Sequence, residues 1–173
     1  MRKRPEYCPD CGSPLEERSI GGRTRMFCAR CNKTIYENPL PATCVVAFDR
    51  KGRVLLTKRA VEPGFGEWAL PGGFIEIDET PQEGALRELV EETGIEGEIE
   101  RQLGVEGQRS EMYINVAVAG FLVRTDGGEP IANDDVSEAR WFRLGEEPEL
   151  VFSSHRRFLE RGKKAIATFF KKG

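Results

Sequence analysis

Histidine is nearly absent from this 173-residue chain, which has a single one, His155. Serine and cysteine nucleophile pairs need an imidazole base, and histidine-built metal sites need several, so both are set aside. Long apolar runs are missing as well. Nothing approaches the roughly 18 consecutive apolar residues of a membrane span. The basic start, Met1-Arg2-Lys3-Arg4-Pro5, lacks the apolar stretch of a secretory signal. These two absences predict a cytoplasmic protein. Net charge is small, −3, so no global field draws in nucleic acid or an acidic membrane. What remains for chemistry is carboxylate, cysteine, backbone or a bound ion.

With 39% hydrophobic and 32% charged residues, the chain has ordinary globular composition. Its length suits one domain with a real core and something smaller beside it. The cysteines mark the smaller piece. Cys8-Pro-Asp-Cys11 and Cys28-Ala-Arg-Cys31 are two C-x₂-C knuckles separated by 16 residues. That spacing is a zinc signature: each knuckle aims two thiolates at one ion, and two knuckles close a tetrahedral site. Ser13 to Phe27 has few large apolar residues, so metal would supply the folding energy. Two disulfides are the alternative, disfavoured by a reducing compartment. Cys8, Cys11, Cys28 and Cys31 are therefore expected to hold a structural Zn²⁺. Cys44, in an apolar β-rich run, reads as a buried small hydrophobe.

The expected domains are a ribbon over 1–38 and a larger domain over 39–173. Strand-like runs fall at 42–49, 53–59, 97–106, 112–124 and 138–143. Glycine and proline loops lie at 62–67 and 71–73, and helices are expected over 80–93 and 154–170. Strands interspersed with two helices imply a mixed α/β or α+β sandwich.

The first helix has clear ends. Thr80 can cap it, Pro81 suits its first position, Glu83 completes a capping box, and Gly94 supplies the left-handed stop. Stepping by ~100° per residue puts Ala85, Leu86, Leu89, Val90 and Thr93 on a buried face. Glu88, Glu91 and Glu92 then form an acidic arc pointing away from the core. Solvated, the Glu88 repulsions cost roughly 0.2–0.5 kcal/mol each. In a cleft each would be nearer ~3 kcal/mol, and a hard cation such as Mg²⁺ or Mn²⁺ would offset it. A solvated acidic face is the plain alternative.

The preceding loop adds to this arc. Gly73, five residues, Glu79, seven residues, then Arg87-Glu-Leu-Val-Glu-Glu-Thr-Gly-Ile95 resembles the Nudix box at every fixed position. Trp68-Ala-Leu-Pro-Gly-Gly73 and Glu76 look like the family's approach to it. The resemblance implies an α/β/α sandwich around a mixed sheet. It implies that Glu88, Glu91 and Glu92 hold divalent ions with the Gly72 carbonyl, that Arg87 orients the glutamates, and that Glu79 completes the inner acidic shell. Arg59 and Gly73 would meet the substrate. Glu91 is favoured as general base, with Glu111, Asp134 and Asp135 as alternatives. Trp68 and Trp141-Phe142 read as packing.

A cysteine ribbon ahead of a Nudix domain is similar to NADH pyrophosphatases and to smaller proteins acting on ADP-ribose or FAD. Gly104 to Tyr113 lacks the Ser-Gln-Pro-Trp-Pro-Phe motif of the first group, and Glu111 stands where ADP-ribose specialists often have proline. Cys28-x-x-Cys-x-Lys-x-x-Tyr-x-Asn-Pro39 and Phe152-Ser-Ser154 resemble the small ribbon group. The expected function is hydrolysis of ADP-ribose or FAD to AMP and a phosphorylated product. A house-cleaning nucleoside triphosphatase and an NADH pyrophosphatase are the enzymatic alternatives. A nucleotide-sensing regulator is a third, since Arg2, Lys3, Arg4, Arg18, Arg23, Arg25, Arg30 and Lys33 look like a basic ribbon. Retention of every box carboxylate argues against it, so nucleic acid is not the expected partner. The ribbon's expected use is contact in a homodimer.

Overall fold

Strand β4 (Leu40–Phe48) organises the molecule, because both of its faces are covered. Side chains alternate along a strand, so one strand can feed two cores. Ala42, Cys44, Val46 and Phe48 join one core, while Val45 and Ala47 join the other. A doubly buried strand needs no polar alternation, which explains the unbroken apolar run. The computed structural model describes residues 4–110, 112 and 114–172, without the side chains of Ile114 and Lys172.

Around β4 lie β5 (Val54–Arg59), the short β6 (Trp68–Ala69), β7 (Gly97–Ser110), β8 (Ile114–Thr125) and β9 (Val136–Phe142). The sheet order is β6-β5-β4-β8-β7, with β9 pairing β5. β4 and β8 run parallel from Leu40↔Val116 to Phe48↔Arg124, and the other pairings are antiparallel, so the sheet is mixed. Helix α1 (Pro81–Thr93) covers one face through Ala85 and Leu89 against Val45, Leu55 and Phe121. Helix α2 (Ser153–Lys172) covers the other through Phe158, Leu159 and Ile166. This is the expected α/β/α sandwich.

Strand β7 is longer than the expected 97–106. Gln108, Arg109 and Ser110 have little strand propensity, but they pair with Val116, Asn115 and Ile114, and tertiary pairing overrides local preference. The two-residue β6 was not anticipated, nor were the ribbon's strands. These are β1 (Glu16–Ile20), β2 (Arg23–Cys28) and β3 (Lys33–Ile35), an antiparallel sheet of three. Among the described residues no helix is long and apolar enough to cross a membrane.

Candidate active site

Helix α1 ends where its sequence dictates. Thr80 Oγ1 accepts from Glu83 N, the Glu83 carboxylate accepts from Thr80 N at 2.8 Å, and Gly94 closes the helix at φ 68°. Its faces differ from the expectation in two places. Val90 is 42% exposed, and Glu92 is only 3% exposed, so Glu92 does not point away from the core. The Pro71–Gly73 loop explains the second difference. Thr43 N donates to Gly73 O and Val45 N to Pro71 O, both at 2.9 Å, which docks the loop along β4 and over Glu92. Gly72 N then donates to Glu92 Oε2 at 3.2 Å. The Gly72 carbonyl accepts no hydrogen bond among the described residues.

The two glycines are required by contact. A Cβ at Gly72 would lie 2.6 Å from Cys44 Cα, and one at Gly73 would run into the Glu88 carboxylate. The loop therefore reaches both carboxylates with backbone alone.

Arg87 is the hub of the acidic cluster. Its Nε and Nη2 donate to Glu79 Oε2 and Oε1 at 2.9 and 2.7 Å, and its Nη1 to Glu88 Oε1 and Glu91 Oε2 at 2.8 and 2.7 Å. Its Nη2 also reaches the carbonyl of Phe74 at 3.1 Å. Arg87 hydrogen bonds hold the Glu79 carboxyl down to about 2. Glu88 and Glu92 move the other way. Burial pushes both up, and the charge of Asp135 adds to each. Asp135 thus stands beside the box carboxylates, a proximity no spacing in the sequence gives away. The three box glutamates do not converge on one point here, since Glu91 is held by Arg87 and half exposed.

The donor set still fits a hard divalent ion. Glu88 and the buried Glu92 carry mutual repulsion that Arg87 offsets only at Glu88, and a free backbone carbonyl lies alongside at Gly72. Asp134 has φ 55°, which turns the chain so that Asp135 O accepts from Ala60 N. Glu111 lies outside the described residues.

Beside the acidic cluster opens a cavity of about 660 Å³, within the usual range for small-molecule sites. Gly72, Gly73 and Asp135 belong to its wall and to the cluster's surroundings. Arg59 lines it, fixed by donation from Nε to Pro63 O at 2.7 Å and by the Phe152 ring 5.4 Å from its guanidinium. Phe152, Ser154, His155 and Gln108 also line it, and none of these had been expected in the site. Nothing local in the sequence signals His155, which arrives from the start of α2, far along the chain. Trp68 packs edge-on against Phe142 with centroids 5.0 Å apart, and Trp141 Nε1 donates to Gly128 O, so both are packing residues.

The four ribbon cysteines meet as expected. Their sulfurs all lie within 4.8 Å of one another, with Cys11 and Cys28 3.6 Å apart. Zn–S bonds of about 2.3 Å in a tetrahedron place sulfurs roughly 3.8 Å apart, whereas a disulfide needs about 2 Å. The cysteines are free thiols arranged for one ion, consistent with structural zinc. Cys44 is fully buried, and burial pushes its thiol up, as befits a core residue. Three of the ribbon's cations are paired within it. Arg4 pairs with Glu17, Arg18 with Glu16 and Lys33 with Asp10.

A domain model described as NUDIX domain matches residues 38–162, and the chain belongs to the Nudix hydrolase family. It is 38% identical over 105 residues to an ADP-ribose pyrophosphatase of Methanocaldococcus jannaschii, covering 60% of this chain and 62% of that protein. Against further curated relatives it spans 45% and 50% of their length. A Nudix hydrolase of Nitrosomonas europaea superposes with TM-score 0.78 at 29% identity, covering 92% of this chain and 90% of that one. The Nudix domain of Shewanella oneidensis NrtR, solved with ADP ribose, gives 0.67 at 26% identity, covering 76% and 90%.

Proposed function

We propose that this chain is a divalent-cation-dependent pyrophosphatase that hydrolyses ADP-ribose to AMP and ribose 5-phosphate, with FAD as a second substrate. The observation that carries this reading is the junction of Gly72, Gly73 and Asp135, where a buried carboxylate cluster meets a nucleotide-sized cavity. The ADP-ribose pyrophosphatase relative supports the choice of substrate.

In this reading Glu88, Glu92 and the Gly72 carbonyl would hold a divalent ion, and Glu91, here paired with Arg87, would be a further ligand. When bound there, Mg²⁺ or Mn²⁺ would offset phosphate charge and make a water more acidic. Arg59 binds a phosphate at the cavity wall, and Gly73 lets the diphosphate approach the backbone. Arg87 orients the carboxylates, and Glu79 fixes Arg87. Asp135 is better placed than Glu91 to take a proton from water, because it lines the cavity while Glu91 is paired outside it. The cysteine ribbon holds Zn²⁺ in a structural role, with 1–38 and 39–173 as the two units. Retention of every box carboxylate argues for turnover over a purely nucleic-acid-binding role, and pairing of Arg4, Arg18 and Lys33 within the ribbon reduces the cations it offers to phosphates.

The test is product chromatography over ADP-ribose, FAD, NADH, nucleotide sugars and nucleoside triphosphates with Mg²⁺ or Mn²⁺. AMP and ribose 5-phosphate from ADP-ribose are expected. Preferential turnover of triphosphates would replace this substrate assignment.

A further inference from the structure

His155 is buried at the start of α2 and lines the cavity. Its Nδ1 accepts a hydrogen bond from Leu70 N at 3.1 Å. A ring nitrogen that accepts cannot carry the proton, so the imidazole is held as the Nε2–H tautomer. Burial, reinforced by the charge of Arg59, pushes its pKa down to about 3, which keeps the ring neutral. Nε2 makes no hydrogen bond among the described residues. The ring faces the cavity, so Nε2–H is a fixed donor available to a ligand acceptor there.

The neighbouring polar group is arranged in the same sense. Gln108 Oε1 accepts from Ser153 Oγ, Ser154 N and Ser154 Oγ at 3.0–3.2 Å, and its Nε2 donates to Arg109 O. With its oxygen saturated, Gln108 offers the cavity only an amide donor. Val61, Phe74, Val116 and Phe152 supply apolar wall. A phosphate would go to Arg59 or Arg109, which line the same cavity. A fixed neutral donor between apolar walls suits an uncharged aromatic ring with an acceptor on its edge.

We infer that His155 is a specificity-determining residue whose Nε2–H donates to an unprotonated ring nitrogen of the substrate's nucleobase. This rests on reading the cavity as the nucleotide site. Because His155 is the only histidine, ¹⁵N-histidine labelling gives one imidazole to follow. The free, metal-free protein should have a protonated Nε2 and an accepting Nδ1. ADP-ribose should shift the Nε2–H resonance, while ribose 5-phosphate, which lacks the base, should not. If calorimetry finds ADP-ribose bound while the imidazole signals stay put, the inference falls and the proposed function stands. The same holds if ribose 5-phosphate shifts them equally. If no nucleotide binds at all, the substrate reading fails and takes the inference with it.

Kinetics separate recognition from support of Leu70. His155→Gln can keep both an acceptor and a donor, so KM for ADP-ribose should stay close to wild type. His155→Leu should raise KM roughly tenfold with little change in kcat, the loss of about one hydrogen bond. An equal fall of kcat in both variants would contradict a recognition role.

Discussion

Arg87 grips Glu79 with two parallel hydrogen bonds, Nε to Oε2 at 2.9 Å and Nη2 to Oε1 at 2.7 Å. The pair ties the loop ahead of α1 to the helix itself, and the same guanidinium reaches Glu88 and Glu91. A lysine has the charge but not the planar fork. Arg87→Lys is therefore expected to lower kcat about 10–100-fold, the usual cost of losing an outer partner of a metal ligand. Steady-state kinetics beside a thermal melt will check it. The melting temperature should change little.

Glu92 is a buried carboxylate whose pKa is pushed well above the usual range, first by burial and then by the charges of Asp135 and Glu88. Replacing it with the isosteric Glu92→Gln removes a buried, repelled charge. The metal-free variant should melt at or above the wild-type temperature, yet its Mg²⁺-induced stabilisation should largely disappear. Scanning calorimetry with and without Mg²⁺ reads both effects. A variant less stable than wild type without metal would argue that Glu92 is structural.

His155 gives a pH dependence of definite sign. Its pKa is about 3 in the folded chain against an ordinary 6.5, so the unfolded state binds the proton more readily. Stability from this group is complete above pH 6.5 and declines as pH falls toward 3. Between pH 7 and 5 the loss amounts to about 2 kcal/mol. Urea unfolding at those two pH values should show His155→Gln losing less stability than wild type by about that amount.

Cys28→Ser removes one of four converging sulfurs. Bound zinc, measured by elemental analysis, should fall from near one per chain to well below it. The ribbon's amides should lose hydrogen-exchange protection, because β1–β3 have little core of their own. Protection in β4 and β8 should persist.

Much of this was legible in the sequence, for identifiable reasons. The caps of α1, its Ala85–Leu89 face and the cysteine knuckles depend on near neighbours, so spacing alone reports them. The burial of Glu92 was not legible. It depends on Pro71 and Gly73 docking on β4, about twenty residues away in the chain. Asp135, Gln108 and His155 reach the site from three further elements, and their roles exist only once the sheet has brought those elements together. The end of β7 is hidden in the sequence, because Gly107–Ser110 looks like loop until β8 pairs with it.

The acidic face of α1 as the wall of a metal-dependent pyrophosphate site is best tested by one comparison. It is the rate of AMP release from ADP-ribose with saturating Mg²⁺, for wild type and for Glu88→Gln of equal thermal stability. Wild type should turn over only with the metal, and the variant should be slower by roughly 100-fold or more. Equal rates in the two proteins, or wild-type turnover that survives a chelator, would contradict the account.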